Sequence, residues 1–257
     1  MDYIIVCLFA LLGSGLTFFS GFGLGTLLLP VFALFFPVEI AIILTAIVHF
    51  LTNIFKLTLI GRKANRSVII RFGIPAILFA FAGAYVLSLI AFSDPVHTYA
   101  IADKTFHITP IKLVIGFLLG AFALFDMVPS LTRINLDQKY IPLGGMLSGF
   151  FGGLSGHQGA LRTAFLIRAN LSKEEFIATG IVIAVLIDIS RLSVYAAEIF
   201  NLSHTFNYPL LLAAVLSAFI GAYIGNKLLK KITIKTLQFS VGAMLLVFSV
   251  LLALGII

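Results

Sequence analysis

Charge is scarce in this chain. Of its 257 residues, 11% are Asp, Glu, Lys or Arg, 61% are hydrophobic, and mean hydropathy is +1.16. A soluble domain runs nearer half apolar and a quarter charged, so this composition excludes one and points to a polytopic membrane protein with short loops. Cysteine is nearly absent too. Cys7 stands alone in an apolar run, which excludes an intrachain disulfide and any multi-cysteine metal site and reads as inert packing. No H-E-x-x-H spacing, catalytic triad, Walker A loop or nucleotide-binding fingerprint occurs, so no catalytic residue, metal ligand or cofactor is expected. ATP-driven transport would need a partner. The only charge before the first apolar run is Asp2. Without a basic n-region, residues 1–19 read as mature membrane structure rather than a signal peptide.

The chain does hold a net charge of +7. No compact basic face with interleaved exposed aromatics accompanies it, so no nucleic-acid partner is expected. The basic residues mark inner loops instead. The 26 phenylalanines face lipid or neighbouring helices.

A membrane helix needs about 20 apolar residues. Six segments fit: 38–60, 67–92, 110–128, 174–196, 206–226 and 235–257. Two do not, 3–36 and 140–169. A helix over 3–36 would reach about 50 Å, beyond a hydrocarbon core of about 30 Å. Each is interrupted near its middle, by "GFGLG" (21–25) and by "GGLSGHQGA" (152–160). The expectation is half-length helices meeting at a glycine turn.

The landmarks repeat in order. "SGFGLGTLLLP" (20–30) corresponds to "SGHQGALRTAF" (155–165), Asn53 and Lys56 to Asp188 and Arg191, "FAGAY" (81–85) to "FIGAY" (219–223), and "TPIK" (109–112) to "TIK" (233–235). Two repeats follow, 1–128 and 140–257, joined by a linker at 129–139. Charge tells how each half faces. "GRKANR" (61–66) is basic, while its counterpart "EIFNLSHTFNYP" (198–209) has no Lys or Arg. Loop 93–109 has two aspartates and one lysine, while its counterpart "NKLLKKITIK" (226–235) has four lysines. Under the positive-inside rule the halves insert in opposite orientations. The interrupted segments must then cross zero times or twice, as re-entrant hairpins or pairs of short spans, with the linker inside and the N-terminus outside. The fold class expected is an all-α polytopic membrane protein of two inverted repeats, each an interrupted segment plus three spans.

Non-helical backbone at membrane depth is tolerated only where protein buries it or it lines a polar cavity. Inverted repeats with broken helices place substrate sites near the midplane of secondary transporters. A helix starting after a glycine turn offers unpaired N–H groups and a positive dipole end, which favour an anion. The competing reading, close helix packing, suits "FAGAY" and "FIGAY" better than the two midpoint turns.

The chain's copies "SGFGLGTLLLPVFAL" (20–34) and "GMLSGFFGGLSGHQGALRTAFL" (145–166), with its duplicated organisation and its length, resemble the TauE/SafE family of sulfite exporters. Gly21, Gly23, Gly25 and Pro30 match the family's glycine-turn pattern in the first copy, and Ser155, Gly156 and Gly159 in the second. His157, Gln158 and Arg162 depart from its apolar norm. The resemblance implies transport of sulfur anions such as sulfite, sulfonates or thiosulfate, without choosing among them.

Polar residues in the spans complete the candidate site. Arg162, three residues past Gly159, can grip an oxyanion in bidentate fashion or snorkel, as Arg168 is expected to do. His157 and Gln158 occupy the second turn, as hydrogen-bond donors to an oxyanion or as a polar plug. His49, Asn53 and Lys56 follow i, i+4, i+7 and share one face of 38–60; Lys56 could instead snorkel. Asp188 and Arg191, at i, i+3 on 174–196, can form an intrahelical ion pair, or Asp188 can fix Arg191, or take a proton, as the site empties. The expectation is a multi-pass protein of the cell membrane that moves a small anion by alternating access. The bilayer is its other partner. A coupling proton or cation, carried by His49, His157 or Asp188, and a homo-oligomer are left open. The rival readings are a passive anion channel, which needs a continuous polar path, and a membrane-embedded enzyme.

Overall fold

A computed structural model describes residues 2–20, 23–127, 137–227 and 234–257. Gly21 therefore lies outside the described residues, as does most of the linker and of the lysine-rich loop. Eleven helices occur in the described chain once short turns are set aside. The first stretch forms α1 (Asp2–Ser20) and α2 (Leu24–Ala33). Then come α3 (Val38–Ile60), α4 (Arg66–Ala91) and α5 (Pro110–Met127). The later part holds α6 (Ile141–Ser155), α7 (Gly159–Leu166), α8 (Lys173–Val194), the short α9 (Ala196–Leu202), α10 (Tyr208–Lys227) and α11 (Ile234–Ala253). Among the described residues, four helices are long and apolar enough to cross a membrane: α3 with its following turn, α4, α8 and α10.

Local chemistry sets these boundaries. Pro37 is the N-cap of α3, fixing φ where no N–H is needed. Ser172 opens α8 with a capping box: its hydroxyl accepts from the Glu175 N–H, and the Glu175 carboxylate accepts from the Ser172 N–H. In α4, residues Ile69–Gly73 widen into one π turn, a local bulge of the helix.

Loop 93–109 is not wholly irregular. It carries an antiparallel hairpin, β1 (His97–Ile101) and β2 (Lys104–Ile108), in which His97 pairs with Ile108 and Ile101 with Lys104. Its strands are rich in β-branched and aromatic residues, which suit a pleated surface. Ala102 takes φ 52° at the tip. Tyr99 donates its hydroxyl hydrogen to the Leu254 carbonyl, 2.6 Å away, so the hairpin and the end of α11 share one end of the bundle.

Glycine lets helices touch backbone to backbone. α6 packs along α4 most extensively, and α1 along α10. A Cβ on Gly145, Gly149 or Gly153 would collide with the carbonyls of Phe72, Ala76 or Ala80. Gly83 meets the Phe150 carbonyl and Gly221 the Leu11 carbonyl in the same way, so the glycines of "FAGAY" and "FIGAY" serve packing. α5 pairs with α11, and α3 with α8.

These contacts also give direction. Tyr3 donates to Asn207, so α1 starts beside the residues preceding α10. α6 starts at the opposite end, beside the π turn of α4. Each turns back after a glycine break: α2 leads away from the first, α7 from the second.

Candidate functional site

The two breaks meet. A Cβ built on Gly23 would lie 3.9 Å from the Gly156 carbonyl oxygen, and one on Gly25 would lie 3.7 Å from it. Gly156 has φ +78°, a left-handed conformation that only glycine adopts at little cost. There it ends α6 and lets the chain reverse into α7. Neither α2 nor α7 has a side-chain cap at its N-terminus.

α3 and α8 cross beside this junction and supply its charge. Asp188 is 0% exposed and Arg191 1%. Arg191 donates from Nε to Asp188 Oδ1 at 3.0 Å, with Nη2 2.8 Å from the same oxygen. Its Nη1 fills the space beside Gly156, where a Cβ would stand 2.5 Å away. The other Asp188 oxygen, Oδ2, lies 2.7 Å from His49 Nδ1 and accepts from Asn53 Nδ2 at 3.4 Å. Asn53 Nδ2 also approaches both His49 ring nitrogens, at 3.2 and 3.3 Å. One buried carboxylate thus ties both long helices together.

Beside this network lies a cavity of about 40 Å³, room for roughly three waters. Gly23, His49, Asn53, Lys56, Arg162 and Gly180 line it. Arg162 reaches it from α7, with Nη1 donating to Gln158 Oε1 at 3.3 Å. The absent side chain of Gly180 makes room for the Arg162 guanidinium, whose Nε would stand 3.4 Å from a Cβ there. Lys56 is buried rather than stretched to the surface. Among the described residues, the cavity wall holds two cationic side chains and no carboxylate. A second cavity of about 20 Å³ lies toward the hairpin end, with Glu39, Tyr195 and Glu198 in its wall.

Of the residues singled out in the sequence, Gly23, His49, Asn53, Lys56 and Arg162 face the cavity. Gly25, Gly156, Asp188 and Arg191 form the layer against it. The rest of the second turn sits further back. His157 Nδ1 donates toward the Ser155 carbonyl at 3.0 Å, and its ring stacks on Phe122. The Ser155 hydroxyl donates to the Phe151 carbonyl, and Gly159 opens α7. Among the described residues, His157 Nε2 and the buried Gln158 Nε2 have no hydrogen-bond partner.

Sequence reasoning did not reach Thr17, Gly180 and Tyr195. Thr17 and Gly180 line the first cavity. Tyr195 is buried at the end of α8 and donates to the Gly153 carbonyl at 2.7 Å, between the network and the second cavity. Gly180, a glycine inside the apolar run 174–196, was the one usable signal.

Long apolar helices, two helix hairpins broken at glycine and a buried charged centre define a polytopic membrane protein. Residues 6–252 match the profile of the family described as Sulfite exporter TauE/SafE, and the chain belongs to that family. The family is one of membrane exporters of sulfite and related sulfur compounds. No curated protein and no solved structure matches the chain.

Proposed function

We propose that this protein carries small sulfur anions, such as sulfite, a sulfonate or thiosulfate, across the cell membrane by alternating access at the cavity beside the junction of the two glycine turns. One observation carries the reading: the Arg162 guanidinium faces a cavity whose described wall holds no carboxylate, opposite the backbone of Gly23 and beside His49 and Asn53. A guanidinium held in a low-dielectric wall is costly, and an anion beside it offsets that cost. Arg162 offers a planar fork suited to an oxyanion, and the uncapped start of α2, at Gly23 and Leu24 in the cavity wall, adds N–H groups and dipole.

The packing supports the inverted repeat. Exchanging the halves maps α1 against α10 onto α6 against α4, and maps α3 against α8 and α5 against α11 onto themselves. Two hairpins entering from opposite ends and meeting at their tips give one site two routes. The end carrying Arg62, Lys63, Arg66, Lys173 and Lys227 is cytoplasmic by its charge. The cavity lies toward that end, beside the first turns of α8 and the last turns of α3. Tyr195 bonded to Gly153 closes the opposite side. An inside-negative potential favours anion export by about 2.3 kcal/mol per charge per 100 mV.

A binding screen tests the substrate class. Purified protein is melted with sulfite, methanesulfonate, thiosulfate, sulfate, carboxylates and phosphate. A ligand of the folded state raises the melting temperature, and the sulfur anions should raise it most. Efflux of the best ligand from proteoliposomes should saturate with concentration. No shift with any sulfur anion refutes the substrate class, and flux without saturation refutes alternating access.

A further inference from the structure

We propose that the anion and one proton bind together, the proton on the His49 imidazole, so that the protein moves its anion as a proton-coupled load; this rests on the anion-site reading above. His49 Nδ1 faces Asp188 Oδ2 at 2.7 Å. A neutral imidazole there keeps its single hydrogen on Nδ1 and leaves Nε2 an unprotonated acceptor, with Asn53 Nδ2 3.3 Å away. Nε2 faces the first glycine turn: a Cβ on Gly23 would stand 3.6 Å from it. His49 also lines the cavity. An unprotonated Nε2 offers an anion no hydrogen there. An Nε2–H donates to it with a full charge behind the bond.

The surrounding charges enforce the pairing. On α3 stands Lys56, on α8 Asp188 and Arg191 with Tyr195 beyond, on α7 Arg162, and in the α6–α7 turn His157. α2 carries no titratable residue, and the charged residues of α5 and α10 stand near their ends. With His49 protonated, the charges of His49, Arg191 and Arg162 outnumber the Asp188 carboxylate among the described residues of the site. A bound anion offsets that excess, so each ligand raises the affinity of the other by the same factor. The step breaks no other bond: a proton from water on the open side joins Nε2, and it leaves to water on the other side. A monovalent anion then crosses without net charge. A divalent one still carries one negative charge, so the inside-negative potential still favours its export.

Calorimetric titration of the detergent-purified protein with methanesulfonate tests this. That probe does not change charge between about pH 5 and about pH 8, the range in which an imidazole titrates. Two buffers of different ionisation heat report the protons taken up. Uptake should approach one proton per anion at the alkaline end, where affinity should fall by up to tenfold per pH unit. In His49→Gln both effects should vanish, leaving weaker, pH-independent binding. Methanesulfonate binding with no proton uptake in the native protein overturns the coupling while sparing the anion site. Uptake retained in His49→Gln, or lost only in His157→Gln, overturns the assignment to His49. No binding of methanesulfonate, thiosulfate or sulfite at any pH removes the anion site, and this proposal with it. The native titration decides the coupling even if His49→Gln does not fold.

Discussion

Replacing Arg162 with glutamine should weaken binding of a sulfur anion by about tenfold to a hundredfold. The guanidinium stands in the cavity wall, steadied by Gln158 Oε1 at 3.3 Å and by the bare face of Gly180. A unit charge about 4 Å from an anion is worth about 4 kcal/mol at an effective dielectric of 20, which sets an upper bound. A hydrogen bond to a charged group is worth about 1.5–3 kcal/mol net, and each 1.4 kcal/mol is about a factor of ten. Glutamine keeps a donor and much of the length, so the loss isolates the charge. Arg168 also lies between Gly159 and α8 but does not line the cavity; Arg168→Gln should bind as the native protein does. Calorimetry or thermal-shift titration with methanesulfonate reads both. Native affinity in Arg162→Gln, within about the spread of the Arg168→Gln control, would refute the placement of the anion against α7.

Gly156→Ala should abolish high-affinity binding in a protein that still purifies as a folded species. The left-handed backbone costs about 1–2 kcal/mol for alanine, and the new methyl displaces Arg191 Nη1; unaltered binding by calorimetry would contradict this. Asp188→Asn leaves Arg191 and His49 without their shared carboxylate, and breaking a buried pair this way costs about 3–5 kcal/mol. Its melting temperature should fall, and thiosulfate should raise it by more than in the native protein; equal shifts in both would count against an anionic vacancy. Gly83→Ala and Gly221→Ala should each destabilise by about 1–3 kcal/mol through overpacking, since each methyl meets a backbone carbonyl of α6 or α1. Thermal melts should show similar losses, and a tolerated change at one position alone would argue against equivalent roles.

Much of the helical layout can be read from residue chemistry. Pro37 and Gly61 bracket the apolar run that forms α3, and glycine in the two overlong segments marks where each helix must stop. Gly156 shows why: the reversal into α7 needs a positive φ. The i, i+3 spacing of Asp188 and Arg191 foretells their ion pair. The contact of His49 with Asp188 was not legible, because 139 residues separate them and periodicity says which face a residue shares, not which helix that face meets. Lys56 looked able to snorkel, but packing around the cavity buries it. Tyr195 reads as an ordinary aromatic at a helix end; only tertiary structure brings its hydroxyl to the Gly153 carbonyl. The hairpin at 97–108 was hidden because its short alternating strands pair only with each other.

The most direct measurement of the central claim is anomalous diffraction from crystals grown with selenite, a heavier relative of sulfite. One selenium peak should lie in the cavity, within hydrogen-bonding reach of the Arg162 guanidinium and beside His49 and Gly23. Selenium found only at the protein surface, in a protein that binds selenite in solution, would contradict the account.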